Sequence, residues 1–137
     1  MASQAIKSER LPIRTSEDIV AVRQYVRRVA VELGFSLIDQ TKVVTAASEI
    51  ARNTLIYGKG GWATVDVVER GGRRGVRAVF EDRGPGIPDI ERAFQDGFTT
   101  GGGLGLGLGG AKRLCNDFEV QSTPGEGTRV MMTRWKV

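Results

Sequence analysis

Eight of the chain's 19 glycines fall between Gly97 and Gly110, most of them in the run TTGGGLGLGLGG from Thr99 to Gly110. Each interior glycine opposes a helix by about 1 kcal/mol relative to alanine, so several together oppose it by a few kcal/mol. Yet Leu104 to Leu114 reads as a helix, with leucines 104, 106 and 108 alternating with glycine so that some can pack inward. An outside partner has to offset the glycine penalty. A phosphate chain approaching backbone N–H groups at a helix start would do so. A flexible hinge is the plain alternative. Low-complexity disorder does not fit, because it would spread the glycine among Ser, Pro and Gln.

Residue types that are missing narrow the chemistry further. The 137 residues contain no histidine and one cysteine, Cys115. That excludes a Ser-His-Asp triad, histidine metal ligands, autophosphorylation on histidine and an internal disulfide. The apolar runs are too short to span a membrane, and Met1–Ser8 lacks a signal-peptide core, so a cytoplasmic, non-membrane chain is expected. Twenty Lys+Arg against 16 Asp+Glu give a net charge of +4. The basic pairs Arg27–Arg28, Arg73–Arg74 and Lys112–Arg113 are scattered and not interleaved with aromatics, so no nucleic-acid partner is expected.

The length suits one domain, taken as residues 1–137. Ile6–Ile13 reads as a strand that Pro12 confines to an edge. Thr15 and Ser16 followed by Glu17 and Asp18 open a helix, and Ile19, Val22, Val26, Val29, Ala30 and Leu33 recur at helical spacing until Gly34. A second helix runs from near Ser36 through Ile56. Trp62–Glu69 and Val76–Asp82 form a hairpin around Arg-Gly-Gly-Arg-Arg. After a loop with a short helical patch (Ile90–Gln95) and the third helix, Phe118–Ser122 and Thr128–Trp135 form a second hairpin. This order predicts an α+β two-layer sandwich, with helices on one face of a mixed, mainly antiparallel sheet.

Four constellations carry candidate chemistry. Glu49 and Asn53 lie one turn apart on the second helix. The pair suits a carboxylate that orients a hydroxyl and an amide oxygen on a metal, although in isolation it reads as a solvated face. Asp82, at a strand exit, is an acceptor for an exocyclic amine, with Gly84 and Gly86 leaving room for a flat ring. The glycine run is the third. The fourth is Gly125-Glu126-Gly127-Thr128, alone no more than a turn. Other phosphate motifs fail: Gly105, Gly107 and Gly110 match G-x-G-x-x-G with no preceding strand, and Lys59 after Gly58 is followed by glycine, not Ser or Thr.

In order and spacing, these four resemble the boxes of the gyrase/Hsp90/histidine-kinase/MutL ATPase superfamily, from roughly Ile19 to Trp135. Within it the chain is similar to the stand-alone serine/threonine kinases of bacterial partner-switching systems, with ARNT…YGKGG and a C-terminal strand as further likenesses. The resemblance implies a Bergerat-type fold, with ATP and Mg²⁺ as cofactors. It implies Glu49 as base toward the acceptor hydroxyl and Asn53 as Mg²⁺ ligand. Asp82 would take the adenine amine, Gly84 and Gly86 would line the base pocket, and Thr128 would support it through water. Gly101, Gly102, Gly103, Leu104, Gly105, Leu106 and Gly107 would form the lid and helix start over the phosphates. Thr99 and Thr100 are further lid contacts, and Arg52 is the candidate γ-phosphate cation. Implied partners are STAS-domain antagonist and scaffold proteins as substrates and a PP2C-type phosphatase to activate. The alternatives are a sigma-sequestering anti-sigma kinase and a nucleotide-gated binding module. Asn53-Thr54, where anti-sigma kinases tend to carry Asn-Ala, favours the switch kinase. No heptad seam indicates an oligomeric state.

Overall fold

A computed structural model of the chain describes residues 4–87 and 107–137. In chain order the elements are β1 (Gln4–Ile13), α1 (Ser16–Glu32), α2 (Leu37–Ile56), β2 (Gly61–Arg70), β3 (Arg73–Asp82), α3 (Gly107–Arg113), β4 (Asp117–Thr123) and β5 (Gly127–Trp135). The sheet order is β1-β2-β3-β5-β4. All four pairings are antiparallel, so the parallel component allowed for in the mixed-sheet expectation has no counterpart among the described residues. The predicted patch Ile90–Gln95 and the first three residues of the predicted third helix lie outside the described residues.

Local chemistry explains the element boundaries. Thr15 and Asp18 form a reciprocal capping box at the start of α1, and Ser36 caps α2 by accepting from the Asp39 backbone N–H. Between β2 and β3 the turn is Gly71-Gly72, with φ of 58° and 80°. Two positive φ values in a two-residue loop match the right-handed twist of the strands. The hairpin therefore closes tighter, and its strands run longer, than the pattern of apolar residues alone predicts. β1 is an edge strand, as Pro12 requires, and pairs Pro12 opposite Trp62.

Alternation sets the core. Ala63, Val65 and Val67 of β2, Val76, Ala78 and Phe80 of β3, and Val130 and Met132 of β5 face the helices. They meet Val22, Val26 and Val29 of α1 and Val43, Ala47 and Ile50 of α2. On the other face, Asp66 is buried and held by Arg77, with Nη2 3.0 Å from Oδ2.

Near the C-terminal end of β5, Arg134 joins two helices. Its Nη1 donates to the Leu114 carbonyl at 2.9 Å, just past the end of α3, and its Nη2 donates to Asp39 Oδ1 at 2.6 Å, in the first turn of α2. A cation at a helix C-terminus and a carboxylate at a helix N-terminus both suit the helix dipoles. Helix α3 packs on α2, and Gly107, Gly109 and Gly110 are buried there.

Candidate functional site

Between α2, β3, β5 and the start of α3 lies a cavity of about 180 Å³. Its walls are mostly apolar, from Ile50, Phe80, Ile87, Leu108 and Val130, and its polar lining comes from Asn53, Thr54, Asp82 and Thr128. Tyr57, Gly58 and Gly86 complete it. A flat apolar slot with a few convergent polar groups is the usual form of a small-molecule site.

Asp82, the last residue of β3, is its most constrained group. Oδ1 accepts from the backbone N–H of Gly84 at 2.9 Å and of Thr128 at 3.2 Å. These bonds fix the carboxylate plane and leave Oδ2 to accept from a ligand. Glycines enclose it. A Cβ at Gly58 would fall 2.3 Å from Asp82 Cγ, and one at Gly127 would fall 2.2 Å from the Asp82 carbonyl oxygen. A Cβ at Gly84 would sit 2.7 Å from the Gly58 Cα. The close approach of three backbone segments leaves no room for side chains at Gly58, Gly84 or Gly127.

The 84–87 loop is stitched to the second hairpin. Gly86, with φ of 80°, lies against Thr123, where a Cβ would come 2.7 Å from the carbonyl oxygen. Gly125 donates its backbone N–H to the Pro85 carbonyl at 2.8 Å. Ser122 Oγ accepts from the Ile87 backbone N–H at 2.7 Å and lies 3.0 Å from Thr128 Oγ1. The hairpin that looks like a mere turn in sequence thus holds both Thr128 and one wall of the cavity.

Of the sequence-predicted residues, Asn53, Asp82, Gly86 and Thr128 meet in the cavity, and Gly84 lies directly behind Asp82. Glu49 is one turn back along α2, buried and not part of the lining, rather than at the exposed edge of the helix. Gly107 opens α3, and its neighbour Leu108 lines the cavity. Gly101, Gly102, Gly103, Leu104, Gly105, Leu106, Thr99 and Thr100 lie outside the described residues. Sequence reasoning named Tyr57 and Gly58 within YGKGG without assigning them to the cavity, and it missed Ser122. The available signal for the first two was YG one turn beyond Asn53. Ser122 had none.

Two groups outside the cavity have displaced acidities. The Arg134 hydrogen bond holds Asp39 below its ordinary pKa of 3.8 against an opposing effect of burial. Burial pushes the Cys115 thiol up to about 12, with Asp117 adding to the rise and Arg134 opposing it.

This architecture, with an aspartate-floored slot at the end of the central strand, defines an ATPase-type nucleotide-binding domain. Residues 38–136 match the family described as histidine kinase-, DNA gyrase B- and HSP90-like ATPases, and the chain belongs to it. Within it the chain belongs to the RsbT-like serine/threonine-protein kinases. It is 48% identical over 123 residues to the serine/threonine-protein kinase RsbT of Bacillus subtilis (strain 168), covering 90% of this chain and 92% of that protein. An anti-sigma F factor of Thermoanaerobacter sp. (strain X514) is 34% identical over 119 residues, 82% of each chain. The fold also matches one third of the chain in the crystal structure of the RsbU and RsbW domains of Rv1364c from Mycobacterium tuberculosis, with a TM-score of 0.67 at 21% identity over 96% of this chain. The chain is an ATP-using protein serine/threonine kinase of the partner-switching type.

Proposed function

We propose that this kinase phosphorylates serine or threonine on STAS-domain antagonist and scaffold proteins and, once released from them, binds and activates a PP2C-type phosphatase in the cytoplasm. The 48% identity to RsbT over nearly the whole chain carries this reading. Among the described residues no helix is long and apolar enough to cross a membrane.

The cavity supports assigned roles. Asp82 Oδ2 would accept from the adenine amine, while the apolar walls sandwich the ring and Gly84 and Gly86 keep side chains out of its way. Thr128, tied to Ser122, would reach the base through a water. Asn53 lines the cavity half-buried, and its side-chain amide has no hydrogen-bond partner among the described residues, so its oxygen is available to a cation. That fits Mg²⁺, which takes few protein ligands and completes its shell with phosphates and waters. When bound, Mg²⁺ would neutralise phosphate charge, which such transfers need more than covalent help. Glu49, one turn away, would take the proton of the acceptor hydroxyl. Residues 101–107 would close over the phosphates.

The test is phosphotransfer from Mg-ATP to a candidate STAS-domain protein, read as added phosphate by intact mass. One phosphate that disappears with Glu49→Ala supports the reading. ATP binding without transfer in the wild type would instead favour a nucleotide-gated binding module. The likeness to anti-sigma F factors gives the second reading. Capture of a sigma factor in the presence of nucleotide would support that one.

A further inference from the structure

Outside the cavity, cations gather where the turn after α2 meets the end of β3 and Trp62. Lys59, three residues past the end of α2, has φ of 60° and is the one non-glycine with positive φ among the described residues. Glycine or asparagine would hold that backbone with less strain. Gly58 packs against Asp82 and Gly84, which places Lys59 and Arg83 on either side of one backbone contact. The turn also touches the start of α1, because a Cβ at Gly60 would lie 4.0 Å from the Arg14 Cα. Arg83 and Arg10 both stand over Trp62, at 5.8 and 4.6 Å from its ring centroid. Lys59, Arg83, Arg14 and Arg10 therefore share one rim.

The carboxylates close to them are engaged elsewhere. Glu81 accepts from Trp62 Nε1 at 2.8 Å and pairs with Arg129 at 3.4 Å. Asp18 Oδ2 caps α1 through the backbone N–H groups of Arg14 and Thr15, at 2.8 and 3.1 Å. Asp82 is bound by backbone on Oδ1. None of the four cationic side chains makes an ion pair among the described residues. Arginine and tryptophan are residues in which binding hot spots are enriched.

We propose that this rim docks an acidic segment of a partner protein, with its Asp and Glu side chains on the four cations. The proposal rests on the kinase reading only in identifying that partner as the phosphorylated protein. Glu49 lies within α2, ten residues before Lys59, so docking and transfer use different stretches of the chain. A rim charge acts mostly on encounter, so its effect should fade with salt.

The probe is a fluorescein-labelled Glu-rich peptide, titrated onto the full chain and read by anisotropy. The wild type should bind in low salt and lose the peptide in about 0.5 M NaCl. Lys59→Glu with Arg83→Glu should weaken binding about tenfold or more, while affinity for a fluorescent ADP analogue is unchanged. Lys59→Gly guards against misfolding: it should hold or raise the thermal midpoint and still weaken peptide binding. Arg23→Glu with Arg27→Glu on α1 changes net charge equally and should leave binding intact. Equal loss in that control, or no loss in the rim variants, overturns the proposal. So does rim-dependent binding of anionic lipid vesicles or duplex DNA without binding of the peptide. If the wild type failed to bind the ADP analogue, the nucleotide reading would fall and the peptide result would still decide this one.

Discussion

Glycine encloses Asp82. Asp82→Asn keeps the shape but turns one acceptor oxygen into an NH₂ group. That group would face the ligand amine or oppose one of the two backbone donors on Oδ1. Loss of a buried charge-assisted bond is worth about 1.5–3 kcal/mol, so ATP affinity should fall roughly ten- to hundredfold by calorimetry. Gly58→Ala makes the same point from behind. Its Cβ, 2.3 Å from Asp82 Cγ, would push the carboxylate off its donors, and nucleotide affinity should drop although no ligand contact is deleted. If Gly58→Ala binds ATP like the wild type, the enclosure is not what positions Asp82. Asp82 itself was legible in sequence, because a carboxylate at a strand exit before Gly-Pro-Gly is a local signal. The need for glycine at 58 was not. It arises from contact between residues 24 positions apart, which no local pattern encodes.

At the scale of elements, periodicity revealed what repetition could carry. The helical stripe of α1, the edge position that Pro12 imposes on β1 and both hairpins were readable from spacing and turn residues. The Arg134 junction was not, since Arg134 and Asp39 are ordinary surface-type residues until β5, α2 and the end of α3 meet. Its acid dependence has a definite sign. Asp39 has a lowered pKa in the fold, so its contribution is present above its ordinary 3.8 and is lost as pH falls through the folded value. Arg134→Met should lower the thermal midpoint at neutral pH and flatten the loss of stability below about pH 4, as measured by urea unfolding against pH. An unchanged acid limb would mean that the pair contributes nothing. Cys115 sets the opposite limb. Its thiol, raised from 9.0 to about 12, supports the fold below pH 9 and ceases to do so as pH rises toward 12. Native protein at pH 8 should therefore resist alkylation that urea-unfolded protein undergoes readily. Rapid modification of the native chain would contradict the burial of that thiol.

For the whole molecule, the helices and the sheet bury one continuous core, and the cavity opens where α2, α3 and the sheet converge around Phe80, Ile50 and Val130. A ligand seated there touches elements from both halves of the chain, so its binding free energy should appear as global stability. At a hundred times its dissociation constant a nucleotide contributes about 2.7 kcal/mol. For 137 residues the unfolding entropy is about 0.3 kcal/mol/K, so Mg-ATP should raise the thermal midpoint by about 9 °C. The same ATP concentration should raise it far less in Asp82→Asn, and GTP, which presents a carbonyl where adenine has an amine, should do little in the wild type. Omitting Mg²⁺ should reduce the shift in the wild type more than in Asn53→Ala, because only the wild type has the amide oxygen to lose. A shift of equal size with ATP and GTP would remove the base-recognition role of Asp82 while leaving a phosphate site in place. No shift with either would show that the cavity does not hold a nucleotide in the isolated chain.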